Sequence, residues 1–305
     1  MLHPLIARMI ERAYRRGHGE LAQEPLEKIR EYYQSYAFPK LSFVQYEEIE
    51  IKSGLRMRLH YWPSSKKNLP LVLYLRASAH VLGEISDSDY FCALLSKYLR
   101  CHVAALEPRL SPEYKFPIGF EDCIASIEYL VNNATKCRIN PKKIVLWGES
   151  SGGNLAAALS HYFKNKENSL FLHQILFYPL LDYSEKEKYS SKSLYGKGFM
   201  MDNTLTDWFM KQYVKSPEEF WDLRISPLLD SSFEGLPATT LIGAQYDPMR
   251  DEGNSYCEKL IQAKVKVNGL ILPGMIHGFL WYASKLPAAK TAQKFAADVL
   301  KETFR

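Results

Sequence analysis

Short apolar or alternating runs recur along the chain at Phe43–Lys52, Leu55–Trp62, Pro70–Leu75, His102–Leu106, Lys143–Trp147, Leu172–Tyr178, Ala238–Ala244 and Val267–Leu272. Their length and the turn-forming or charged residues at their ends predict strands. Between and after the later runs, Ser86–Leu99, Phe120–Asn133, Ser151–Phe163, Asp251–Ala263 and Pro287–Phe304 carry the wider apolar spacing of helices. Strands alternating with helices bury both faces of a sheet. The expected class is therefore α/β: a mostly parallel central sheet of about eight strands flanked by helices. In such sheets reactive groups collect at the carboxyl ends of the strands.

Two segments interrupt the alternation. Residues 1–42 read as two helices, the first with Leu2, Leu5, Ile6, Met9, Ile10 and Tyr14 on one face. Residues 183–225 are polar, rich in aromatics and partly helical; Ser216-Pro217-Glu218-Glu219 has the form of a capping box with proline at the first helical position. Both segments are expected to form a cap on one domain that spans residues 1–305. The first helix also carries Arg8, Arg12, Arg15 and Arg16, so the same face suits either its own domain or weak contact with an anionic membrane surface.

Composition narrows the class little further. With 305 residues, 47% hydrophobic and 24% charged, the chain has the makeup of a globular enzyme. A net charge of +5, without a basic stripe interleaved with aromatics, gives no case for nucleic acid. The five cysteines (Cys92, Cys101, Cys123, Cys137, Cys257) lack metal-ligand spacing and read as reduced thiols of a cytoplasmic protein. Neither a run of about 18 apolar residues nor the h-region of a signal peptide is present. Nothing implies a metal or an organic cofactor, and oligomeric state is left open.

The chemistry begins at Gly148-Glu149-Ser150-Ser151-Gly152-Gly153, directly after the apolar run Ile144-Val145-Leu146-Trp147 and before a helical stretch. This G-x-S-x-G arrangement at a strand-to-helix turn strains its central residue and lifts the Ser150 hydroxyl clear of the backbone. A serine hydroxyl needs a base to take its proton, and the base needs an acid to hold one tautomer. Of eight histidines, His277 lies in a glycine-flanked loop after a strand, Pro273-Gly274-Met275-Ile276-His277-Gly278-Phe279. His3, His18, His60, His102, His161 and His173 lie in or beside regular elements and fit structural or surface roles. Asp247 follows the run Thr239–Ala244, and the order Ser, Asp, His suits this architecture. Asp251, its rival, reads better as the cap of the following helix.

Taken together, these residues resemble an α/β-hydrolase of the hormone-sensitive-lipase family, the group of bacterial and eukaryotic carboxylesterases. The matching stretches are Leu110-Ser111-Pro112-Glu113 with Phe116-Pro117 and Glu121-Asp122, then Gly148 to Leu155, Ser226-Pro227-Leu228, Tyr246 to Gly253 and Gly274 to Phe279. They stand in the family's order over roughly residues 70–282. The resemblance implies the α/β-hydrolase fold, Ser150 as nucleophile, His277 as base and Asp247 as its partner. It also implies a helical cap lining the acyl and alcohol pockets, with Tyr183, Phe199, Trp208, Phe209 and Tyr213 as aromatics that shape it or form its core. The expected reaction is hydrolysis of a small-molecule carboxylic ester, with an amide or a lactone open to the same machinery.

One departure bears on catalysis. Where the family carries His-Gly-Gly-Gly, this chain has Arg76-Ala77-Ser78-Ala79, then His80-Val81-Leu82-Gly83. In the family, N–H groups of that run join the amide after the nucleophile, here Ser151, in an oxyanion hole. Side chains at these positions restrict the dihedrals that aim the donors. Pro108 also replaces a tyrosine that the family places before the arginine. Three readings follow. Ala77, Ser78 and Ala79 keep the path, or the Ser78 hydroxyl supplies a donor, and the enzyme is slow; the hole is broken and the pocket only binds a small molecule; or Arg76 or His80 serves an acidic substrate. An intact Ser150, Asp247 and His277 favours the first.

Overall fold

The computed structural model describes residues 1–34, 45–63, 68–164, 170–184 and 186–305. Its sheet has eight strands: β1 (Tyr46–Lys52), β2 (Leu55–His60), β3 (Leu69–Leu75), β4 (His102–Glu107), β5 (Ile139–Glu149), β6 (Phe171–Phe177), β7 (Ala238–Tyr246) and β8 (Val267–Ile276). Their spatial order is β1-β2-β4-β3-β5-β6-β7-β8. β1 and β2 are antiparallel, as are β2 and β4, and every other pair is parallel. Phe43 and Val44 of the first expected run, and 35–42 and Glu185 of the expected cap, lie outside the described residues.

Why these runs became strands is visible in β5. Ile144 and Leu146 enter the core on one face, while Val145 and Trp147 enter the core on the other. The same split divides Leu71, Leu73 and Leu75 of β3 from Val72 and Tyr74. A strand buried on both faces reads as a continuous apolar run, which is what the sequence shows. Helices α4 (Ile118–Asn132), α5 (Ser151–Phe163) and α8 (Arg250–Gln262) cover the first face; α3 (Asp89–Leu99) and α9 (Pro287–Thr303) cover the second.

The chain passes from β3 to β4 on one side, then crosses back to β5 on the other. Neighbouring strands whose connections leave in opposite directions open a crevice at their carboxyl ends. Leu75 of β3 pairs with Gly148 of β5, so the loop from Arg76 and the turn at Ser150 emerge side by side.

Helix α1 (Pro4–Arg15) buries Ile6 completely in the second core, with Leu2, Met9 and Ile10 packed beside it. The apolar stripe that membrane contact would use is thus largely occupied by the protein itself; Leu5 stays exposed, as do Arg8, Arg12, Arg15 and Arg16. Helix α2 (Leu26–Gln34) and the 3-10 turn His18–Gln23 pack Ile29 and Leu21 with Val81 and Leu82 of the loop after β3, and with Leu205 and Phe209 of α7 (Asn203–Tyr213). The Tyr14 hydroxyl donates to Asp202 at 2.6 Å, joining the two segments that interrupt the alternation.

Two local expectations are corrected. Pro217 does begin a helical turn, a 3-10 segment Pro217–Trp221, but the Ser216 side chain makes no capping bond. Instead the Glu219 carboxylate accepts the Lys215 N–H at 2.7 Å. Asp251 lies inside α8 and does not cap it. Its carboxylate accepts the Ser191 N–H at 2.9 Å and the Ser190 hydroxyl at 2.8 Å, tying α6 (Ser190–Tyr195) to the sheet domain.

Support for the loop after β3 comes from its neighbours. Ser111 N–H donates to the His80 carbonyl at 2.9 Å, and Arg30 donates to the carbonyls of Val81 and Ser111 at 3.2 and 3.1 Å. The base of this region is Asp122, fully buried, whose carboxylate accepts the Arg109 N–H at 3.1 Å and its guanidinium twice at 2.8 Å. Removing one partner of a buried pair strands the other charge. Arg109→Ala should therefore lower stability by about 3 kcal/mol, seen as a lower urea midpoint; an unchanged midpoint would show that Lys52, 3.3 Å from Asp122, carries the pair alone.

Candidate active site

Ser150 sits at φ 53°, ψ −119° between β5 and α5, the strained turn expected of the elbow. Glycine is needed on both sides for a visible reason. A Cβ on Gly148 would lie 2.3 Å from the Gly152 carbonyl oxygen, and one on Gly152 would lie 2.1 Å from that of Leu75. The strand, the helix and the loop after β3 approach too closely for any side chain there.

The three expected residues converge. Ser150 Oγ is 2.8 Å from His277 Nε2, and His277 Nδ1 is 3.0 Å from Asp247 Oδ2. A carboxylate only accepts, so the imidazole carries its proton on Nδ1 and leaves Nε2 to accept from the serine. Asp247 is buried and its other oxygen accepts the Met249 N–H at 2.8 Å. The His277 loop is pinned by Gly274, which bonds the Gln245 side chain at 2.8 Å and accepts the His3 N–H at 3.0 Å. Gly274 and Gly278 both take φ 74°, a left-handed conformation suited to glycine.

Around Ser150 and His277 lies a cavity lined by Ala77, Ser78 and Ala79, by Arg76, and by apolar groups including Phe91, Met201, Phe209 and Trp281. Arg76 and Phe209 are thus at the cavity, whereas His80, Phe199 and Trp208 of the expected pocket are not among its lining residues. Each has found a partner elsewhere. His80 stacks on Tyr213 with ring centroids 3.8 Å apart; Phe199 stacks on Tyr246 at 5.6 Å; Trp208 packs edge-on to Phe209. Burial lowers the His80 pKa to about 3, so it is a neutral ring and no charged donor. Arg76 turns Nη1 onto the Leu82 carbonyl at 2.5 Å, and Gly83, at φ 80°, leaves room for that guanidinium and for Asp87.

Glu149 is a further residue of the site, one to which the sequence pattern assigns no role. It is fully buried beside the nucleophile, accepting the Tyr74 hydroxyl at 2.7 Å and, more weakly, that of Tyr178 at 3.4 Å. Tyr178 in turn lies against the His277 ring, 4.9 Å between centroids. A charged residue closing an otherwise apolar strand was the available signal. Burial raises its pKa from an ordinary 4.5 to about 7. The folded state therefore holds this proton more tightly than the unfolded chain, and stability falls as pH rises from about 4.5 to 7, by up to roughly 3 kcal/mol. Glu149→Gln should melt higher than the parent at pH 8, with the gap closing toward pH 4.5; a gap independent of pH contradicts this assignment.

The fold and this geometry agree with a match, over residues 72–281, to a family model described as the alpha/beta hydrolase fold. The chain belongs to that family. It is similar to an arylesterase of Saccharolobus solfataricus, 32% identical over 222 residues that cover 72% of this chain and 71% of the relative. An ethyl acetate hydrolase of Pseudomonas putida is 30% identical over 233 residues, 76% and 72% of the two chains. Among solved structures, the thermostable carboxylesterase EstE1 from a metagenomic library superposes with a TM-score of 0.84 at 30% identity, over 93% of this chain and 99% of its own. The α/β hydrolase described here is of the hormone-sensitive-lipase, carboxylesterase type. Among the described residues no helix is long and apolar enough to cross a membrane, and no cluster of three metal-ligating side chains occurs.

Proposed function

We propose that this protein hydrolyses carboxylic esters of small molecules through an acyl-enzyme on Ser150. The observation that carries the reading is the unbroken relay from Ser150 Oγ through His277 to Asp247, at 2.8 and 3.0 Å, opening on a mostly apolar cavity. A site that only bound its ligand would need none of these three groups in register.

His277 Nε2 takes the Ser150 proton as Oγ attacks the ester carbonyl carbon, and the carbonyl oxygen becomes an oxyanion. The imidazolium then returns the proton to the leaving alcohol as the C–O bond breaks. Water, deprotonated by the same nitrogen, attacks the acyl-enzyme and releases the acid and Ser150. Asp247 orients the imidazole and stabilises its charged form throughout. The oxyanion is held by the N–H of Ser151, the first residue of α5, whose amide has no partner within the helix. One or two donors from the run Ala77-Ser78-Ala79 complete the hole.

The N-terminal helices and the 183–225 segment act as the cap, closing the apolar side of the cavity with Met201 and Phe209. That lining suits an apolar acyl or alcohol group. Membrane contact through α1 falls to a minor role, since Ile6 is committed to the core. Five free thiols suit a reducing compartment and hence the cytoplasm.

The test is turnover on p-nitrophenyl esters from acetate to octanoate. Steady release of nitrophenolate, lost in Ser150→Ala, is expected. Tight binding of these esters by folded protein without any turnover would favour the binding-only alternative.

A further inference from the structure

The run that replaces the family's glycines is bonded in an unexpected way. The Ser78 N–H does not point freely into the cavity: it donates to Ser151 Oγ at 2.9 Å. The two hydroxyls are themselves 3.2 Å apart, and the His80 N–H donates to Ser78 Oγ at 3.1 Å. One serine lies in the altered loop and the other directly follows the nucleophile. Main-chain N–H groups of this loop are the expected oxyanion donors, and one of them is already spent on a side chain.

Counting protons shows what replaces it. Ser151 Oγ accepts from Ser78 N–H, Ser78 Oγ accepts from His80 N–H, and one hydroxyl proton bridges the pair. One hydroxyl proton is left over. If it belonged to Ser151, which is 0% exposed and does not line the cavity, it would be a buried donor without an acceptor, a cost of about 1–3 kcal/mol. With the bridge running from Ser151 O–H to Ser78 Oγ, both lone pairs of Ser78 Oγ are filled and its own proton is the free one. Ser78, unlike Ser151, lines the cavity together with Ser150, so its free proton has the cavity beside it.

We propose that the Ser78 hydroxyl is an oxyanion-hole donor, held in place by Ser151 and His80, and stands in for the Ser78 N–H that Ser151 occupies. The hole then has three donors: Ser151 N–H, Ser78 O–H and the N–H of Ala79. Ala79 lines the cavity, takes the left-handed φ of 47°, and has no acceptor for its N–H among the described residues. The negative charge that forms on the carbonyl oxygen draws the O–H toward it, and no proton is transferred. Ser151 is a positioning residue, because it acts through Ser78. The proposal rests on the esterase reading above.

The pair of serines gives a test that a merely structural role would fail. Ser78→Ala removes the hydroxyl while the N–H at position 78 stays bonded to Ser151 Oγ. On p-nitrophenyl butyrate, kcat should fall about 100-fold, in the range for loss of one oxyanion donor, with KM changed less than about 3-fold. Adding Ser151→Ala removes the acceptor and releases that N–H toward the oxyanion. The double variant should recover kcat at least about tenfold over Ser78→Ala, in the manner of regaining one donor. A trifluoromethyl ketone, which forms the tetrahedral adduct, should follow kcat across the series. If circular dichroism shows Ser78→Ala unfolded, Ser78→Gly with and without Ser151→Ala makes the same comparison, glycine being the family's residue there. Full activity of Ser78→Ala, or a double variant no faster than the single, overturns the proposal. An unmodified protein inactive on every ester overturns the esterase reading instead.

Discussion

Ester turnover should fall by about a million-fold in kcat when Ser150 is replaced by alanine, and by a similar factor for His277→Ala. The two groups act as one unit: the serine is unreactive without the base, and the base has no proton to take without the serine. The double variant should therefore be no slower than either single one. Asp247→Asn is expected to cost less, about ten-thousand-fold, because the imidazole remains but adopts the wrong tautomer. Additive losses in the double variant would mean that His277 acts on something other than Ser150, despite the 2.8 Å between them. The comparison is made with purified variants on one p-nitrophenyl ester, after confirming equal melting temperatures.

The second large effect concerns the fold at the same place. Gly152→Ala should prevent stable folding, because its Cβ would sit 2.1 Å from the Leu75 carbonyl oxygen and 2.5 Å from that of Arg76. Both are main-chain atoms of the central strand and its loop, so no side chain can swing aside. A cost above about 4 kcal/mol is expected, beyond the range of ordinary substitutions. Gly153→Ala is the control: its Cβ would meet Pro179 at 3.0 Å and the Gly148 carbonyl oxygen at 3.4 Å, and nothing closer, so a milder loss should follow. Soluble yield and melting temperature read both. If Gly152→Ala folds as well as Gly153→Ala, the close approach of α5 to β3 is not as described.

What could be read in advance, and what could not, divides along a physical line. The strand–turn–helix at Ser150 was legible because local geometry demands glycine at 148 and 152. His277 and Asp247 were legible because they follow strand ends, and parallel sheets bring those ends together. Sheet and helices were legible from periodicity alone, with boundaries off by a few residues, as where β5 begins at Ile139. Contacts between distant side chains left no local trace. Nothing in the pattern said that His80 would stack on Tyr213, that Asp251 would tie α6 down, or that Ser151 would take up the Ser78 N–H. Glu149 belongs to the same class, since only the fold brings Tyr74 and Tyr178 to its carboxyl group.

Arg76 shows how a chemically suggestive residue is resolved by its surroundings. Its position at the start of the altered loop invited a role in binding an acidic substrate. Its Nη1 is instead drawn onto the Leu82 carbonyl, and the negative charges of Asp87, Glu107 and Glu84 support its charged form against burial. That arrangement braces the loop, and the cavity beside it stays mostly apolar.

The most direct measurement is mass spectrometry of the protein after exposure to a fluorophosphonate, which reacts only with a serine whose proton is being removed. One adduct per chain is predicted, on the peptide bearing Ser150, and it should be lost in His277→Ala. Modification of another residue, or equal labelling without the histidine, would contradict the account.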